Sequence, residues 1–112
     1  MNKVVVLLCA LIAAASGSVA ANGDATAGKD KSTACAACHG ATGTSPSGLW
    51  PNLAGQGYAY LVKQMKAFRD GTRKDPVMEP LAKPLSDADI ENLAAFFSTQ
   101  TATPAEPAIG GT

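Results

Sequence analysis

The sequence predicts a small all-α domain. Apolar side chains recur at helical spacing in two stretches: Leu61, Met65 and Phe68 within residues 58–71, and Ile90, Leu93, Ala94 and Phe97 within residues 86–100. No stretch alternates apolar and polar residues with the period of two that a half-buried strand requires. The intervening segments are rich in Gly, Pro, Ser and Asn, which interrupt regular structure. Of 112 residues only 5% are aromatic, so the chain is one domain with little apolar bulk for a core. Chains of that kind ordinarily depend on a staple, a metal or a cofactor. Nine basic and nine acidic residues give a formal net charge of zero, and nothing selects nucleic acid or an anionic membrane surface.

Residues 1–20 read as an export signal. Lys3 supplies the positive start, Val4 to Ala15 is an apolar run too short to span a bilayer, and Ser18, Val19 and Ala20 offer the small side chains of a cleavage site. Cleavage is expected after Ala20, with the bond after Ala21 as second choice. The remaining chain then lies outside the cytoplasm, in the periplasm, with no membrane span. It loses Cys9 and keeps Cys35 and Cys38 in an oxidising compartment.

The first helix starts near Asp24 and runs into "TACAACHGATG". Gly28 in its middle costs about 1 kcal/mol relative to Ala, which suggests a close packing contact there. Residues 40–57 form a loop with Leu49, Trp50 and Leu53 as apolar anchors. A second helix, Tyr58 onward, stops at Gly71. In "TRKDPVMEPLAKPL", Pro76, Pro80 and Pro84 argue against any regular helix. Ser86 caps the last helix, with Asp87, Asp89 and Glu91 at its positive end. The domain thus occupies residues 21–100, and the Pro/Gly/Ala-rich residues 101–112 read as a disordered tail.

Chemistry concentrates in Cys35, Cys38 and His39. A thioredoxin-like dithiol needs a preceding strand, which the pattern lacks. A structural zinc site needs four ligands, and the exported chain offers two Cys and one His. C-x-x-C-H is the attachment signature of c-type haem: both thiols form thioethers with the macrocycle, and the adjacent imidazole becomes an axial iron ligand. His39 is the single histidine, so a second ligand must be another residue type. Met65 lies on the apolar stripe of a helix and reads as core filler. Met78 lies in the proline-rich segment, between Asp75 and Glu79, with no helical stripe to fill, and is assigned as the sixth ligand.

Residues 23 to about 100 resemble a class I c-type cytochrome, closest to one haem domain of the cytochrome c4 family and its monohaem c553/c554-like relatives. The resemblance rests on "CAACHG", "PNLAGQ", "YLVKQMKAF" and "DPVMEPLAKPLSDADIENLAAFF". It implies three to four helices wrapped around one covalently bound haem c, with His39 and Met78 on the iron. It also implies a helix crossing at Gly28 and Phe96, with Leu93 beside them. Pro51 matches the position whose carbonyl accepts from the proximal imidazole, an orientation that metal-bound histidines commonly need. Cytochrome c4 carries two such domains in tandem, whereas this chain has one C-x-x-C-H.

With both axial positions filled, the expected role is one-electron transfer without catalysis at iron, a shuttle between respiratory redox partners that docks transiently as a monomer. Leu49, Trp50, Leu61, Met65, Leu81 and Leu85 are expected to wrap the cofactor. The alternatives are a haem-based ligand sensor or peroxidase and a permanent subunit of a larger enzyme. Lys63, Lys66, Arg69, Arg73, Lys74 and Lys83 read as a solvated surface rather than a docking face, because Asp70, Asp75 and Glu79 interleave with them.

Overall fold

A computed structural model describes residues 23–102; the expected signal segment and most of the expected tail lie outside these residues. Five helical segments follow in order: α1 Ala25–Lys31, α2 Thr33–His39, α3 Tyr58–Asp70, α4 Met78–Ala82 and α5 Asp87–Ser98. Among the described residues there is no strand, and the domain is all-α.

The helix expected to run from Asp24 into the cysteine motif is broken once, at Ser32, where φ is −72° and ψ −3°. The Ser32 hydroxyl donates to the Lys29 carbonyl at 2.7 Å, the local back-bonding that competes with a continuing helix. Asp24 caps α1, its Oδ1 accepting from the Thr26 and Ala27 amides. The α3 helix ends at Gly71, whose φ of 79° is left-handed. Ser86 and Asp89 form a reciprocal capping box on α5, each side chain taking the other's amide at 3.0 Å.

Two expectations need correction. The segment with Pro76, Pro80 and Pro84 does contain a short helix, α4. Pro80 falls in its first turn, where a missing N–H forfeits no intrahelical bond; Pro76 precedes the helix and Pro84 follows it. The described residues therefore hold five helical segments, more than the expected three to four.

Helices α1 and α5 cross at a contact that only glycine permits. A Cβ on Gly28 would collide with the Asn92 carbonyl oxygen and stand 2.9 Å from Phe96 Cβ. Asn92 Oδ1 accepts from the Asp24 amide at 2.8 Å, fixing the same crossing from its end. The core is Leu61, Leu93, Ala94, Phe96 and Phe97, with Cys35, Tyr58, Val62, Met65 and Leu85 packed against it. Ile90, Leu93 and Phe97 are the largest side chains withdrawn completely. Burying each such side chain contributes about 1.5–3 kcal/mol.

The loop after α2 is tied to this core by its backbone. Gly43 O accepts from the Leu53 and Ala54 amides at 2.7 and 3.1 Å, and the Gly55 amide donates to Phe97 O at 3.0 Å. Gly43 has φ 84°, and a Cβ there would come 2.8 Å from Phe97 Cδ1. This buried pin sets where the stretch from Ser45 to Asn52 lies.

Candidate haem site

Helix α2 carries Cys35, Cys38 and His39. Cys35 and Cys38 are three apart, so their side chains fall on one helix face. Both are free thiols and partly buried. Burial pushes the Cys35 thiol pKa up. A dithiol redox centre works through a thiolate stabilised by its surroundings, so this environment is the wrong one for that chemistry. The zinc alternative fails as well: among the described residues no group of three or more His, Cys, Asp or Glu side chains could hold a metal ion.

His39 is 7% exposed. Its Nδ1 lies 2.8 Å from the Pro51 carbonyl oxygen. A carbonyl can only accept, so Nδ1 carries the proton and Nε2 keeps the lone pair a metal would take. Pro51 reaches this position because its loop is closed locally. The Ser45 amide donates to Asn52 Oδ1 at 2.7 Å, while the Ser45 hydroxyl lies within reach of the Ser47 and Cys38 carbonyls at 2.6 and 3.2 Å.

Met78 opens α4 and is half-buried. Its amide donates to Asp75 Oδ1. Met65, the other candidate, packs against the hydrophobic core. The structure therefore joins His39 to Pro51 by a hydrogen bond and ties Met78 to Asp75.

The expected apolar wrap divides into two groups. Leu61 is buried, and Met65 and Leu85 are partly buried on the core. Leu49 is 82% exposed, Trp50 37% and Leu81 45%, so these three are not anchored on the polypeptide core. Val77 and Tyr60 are exposed too. Large exposed apolar side chains on the segments after the motif and around Met78, two thiols on one helix face and an oriented imidazole are the side-chain chemistry that a flat apolar macrocycle with a central metal requires. The residues fit covalent haem.

Sequence reasoning missed Asp75 and Arg69. The dipeptide Asp75-Pro76 was the available signal, since Asp before Pro favours a turn closed by the carboxylate. Arg69 holds Asp70 Oδ1 at 2.9 Å, Asp87 Oδ1 at 2.7 Å and the Leu85 carbonyl at 3.3 Å. These bonds raise the Arg69 pKa further, so its charge is permanent. No periodicity announces them.

An all-α domain with a C-x-x-C-H helix and a carbonyl-oriented imidazole defines a covalent haem-binding module. The family model described as Cytochrome c matches residues 21–101. Cytochrome c-554(548) of Halomonas halodenitrificans is 48% identical over 81 residues, covering 70% of this chain and 98% of that protein. Cytochrome c4 of Pseudomonas aeruginosa is 47% identical over 100 residues, 89% of this chain and 49% of that one. The crystal structure of reduced recombinant cytochrome c4 from Pseudomonas stutzeri superposes with a TM-score of 0.70 at 43% identity, covering 72% of this chain and 47% of that one. The chain belongs to the cytochrome c family, as a class I c-type cytochrome of the c4 group, and its cofactor is covalently bound haem c. It spans about half the length of the cytochrome c4 relatives it matches.

Proposed function

We propose that this protein is a one-electron carrier of an exported, periplasmic compartment, docking transiently as a monomer with respiratory redox proteins. Cys35 and Cys38 form the thioethers, His39 Nε2 and the Met78 thioether bind iron, and Pro51 accepts from His39 Nδ1. When bound, the haem supplies a ferric/ferrous couple. The observation that carries the reading is the 2.8 Å contact between His39 Nδ1 and Pro51 O, which commits one nitrogen and leaves the other to ligate.

The residues' work follows from this assignment. Pro51 fixes the ring orientation and raises the basicity of Nε2. Met78 would supply the second protein ligand to the iron, so a substrate would bind there only by displacing it. Leu49, Trp50 and Leu81 keep water from the macrocycle, which favours the less charged ferrous state.

The test compares two methionines. Met78→Ala is expected to give a high-spin ferric spectrum, a lower midpoint potential and carbon monoxide binding in the reduced protein. Met65→Leu, nearly volume-conserving, should retain the wild-type spectrum and cost under about 1.5 kcal/mol. Exchanged behaviours would make Met65 the ligand. An unchanged spectrum in both would refute methionine ligation and reopen the carrier assignment.

A further inference from the structure

The segment from Gly71 to Val77 reaches Met78 without regular structure, held by the Arg73 amide on the Ala67 carbonyl at 3.0 Å and by several side chains. Arg73 donates to Gln64 Oε1 at 2.7 Å, and its guanidinium carbon lies 4.4 Å from the Phe68 ring centre. Lys74 and Glu79 stand 3.6 Å apart. Asp75 is the contact nearest the candidate ligand. A single carboxylate oxygen, Oδ1, accepts from the Val77 amide at 2.9 Å and from the Met78 amide at 2.8 Å. The Asp75 carbonyl accepts from the Glu79 amide at 3.1 Å. Pro76 stands between, with φ already restricted by its ring. Three successive amides, at Val77, Met78 and Glu79, are thus fixed by one residue.

We propose that Asp75 is a positioning residue for Met78: its carboxylate presets the turn that carries the thioether, and so determines how readily an outside ligand displaces Met78 from iron. This rests on Met78 being the sixth ligand. A ligand on a loose tether loses backbone freedom each time it binds, whereas one on a preformed turn has already lost it. Removing the carboxylate returns two amides to water and the turn to many conformations, which favours the competitor.

The fold contains its own control. Asp24 Oδ1 accepts from the Thr26 and Ala27 amides at 2.8 and 3.3 Å, the same chemistry at the start of α1. Asp24→Ala therefore removes an equivalent cap from a different helix.

The experiment titrates ferric holo-protein with imidazole and follows the Soret band. Asp75→Ala should bind imidazole with a Kd about tenfold lower than wild type, as expected for the loss of two charge-assisted hydrogen bonds. Asp75→Asn keeps the Oδ1 acceptor and should stay within about threefold of wild type. Asp24→Ala should melt earlier with its imidazole Kd unchanged. A wild-type Kd in Asp75→Ala, alongside much tighter binding in Met78→Ala, would overturn the positioning role and leave the ligand assignment standing. An unchanged Kd in Met78→Ala would remove the ligand assignment, and this inference with it. An equal shift in Asp24→Ala would reduce the effect to general loosening and overturn the proposal. Should Asp75→Ala yield no holo-protein, Asp75→Glu, which moves the carboxylate by one methylene, should shift Kd the same way by a smaller factor; a wild-type value there would also overturn it.

Discussion

The loop that carries Pro51 and the segment that carries Met78 differ in the charge of the contacts that anchor them. Residues 40–57 contain no acidic or basic side chain, and their backbone is bonded at Gly43 and Gly55 to itself and to Phe97. Residues 71–85 hold Arg73, Lys74, Asp75, Glu79 and Lys83, and add exposed side-chain contacts to backbone bonds, such as the Arg73 amide to the Ala67 carbonyl at 3.0 Å, and to the packing of Leu85 on the core. Buried backbone bonds are costly to break because their groups find no water. Exposed ion pairs contribute little and weaken with salt. The proposed haem site therefore has an uncharged side, pinned at the buried Gly43 and expected to be the more rigid, and a side whose contacts include exposed charges.

The largest effect should fall on the rigid side. Cys35→Ala with Cys38→Ala is expected to abolish covalent attachment, and each single change should leave one thioether with sharply reduced holo-protein yield. Acid-acetone extraction of the denatured double variant should remove all haem; colour retained in the protein would refute the attachment assignment.

Gly43→Ala comes next. It forces a side chain into the left-handed region and toward Phe97, and should cost about 2–3 kcal/mol in denaturant titrations. A loss under about 0.5 kcal/mol would show that the loop is not pinned as described.

The smallest effects belong to the charged side. Arg69, and secondarily Lys66, hold the Asp87 carboxyl below its usual range, and the Ser86 amide does the same for Asp89. Both groups bind protons more weakly folded than unfolded. Their stabilising contribution is complete above the unfolded value of about 3.9 and is lost as pH falls through the lowered folded values. Arg69→Ala should reduce neutral-pH stability less than Gly43→Ala does, and should flatten the loss of stability between about pH 5 and pH 2. An acid profile identical to wild type would show that the Arg69 contacts do not form in solution.

Local rules made much of this readable. A glycine inside a helix has no propensity reason to be there, so Gly28 pointed to a close contact; the resemblance placed it at Phe96, and the structure adds the Asn92 carbonyl. Ser86 read as a cap because a cap involves only neighbouring residues. The motif named its own cofactor. What escaped was positional or distant. Three prolines were weighed as breakers, though Pro80 occupies the one turn that tolerates it. Asp75 was counted as surface charge, although its carboxylate closes a turn. Arg69 meets Asp87 across eighteen residues, beyond any periodic signal. Of the three expected loop anchors, Leu53 packs against the core, whereas Leu49 and Trp50 are exposed.

The crossing of α1 with α5 also governs the order of assembly. Asp24 and Asn92 are 68 positions apart, and closing a flexible loop of that length costs about 3.7 kcal/mol on the logarithmic scaling alone. The first helix therefore lacks its main packing partner until the last one exists, a non-local dependence that slows folding. Cys35 packs on a core whose Leu93, Phe96 and Phe97 all come from that last helix. Cys35 gains that packing only once the chain is complete to about Phe97.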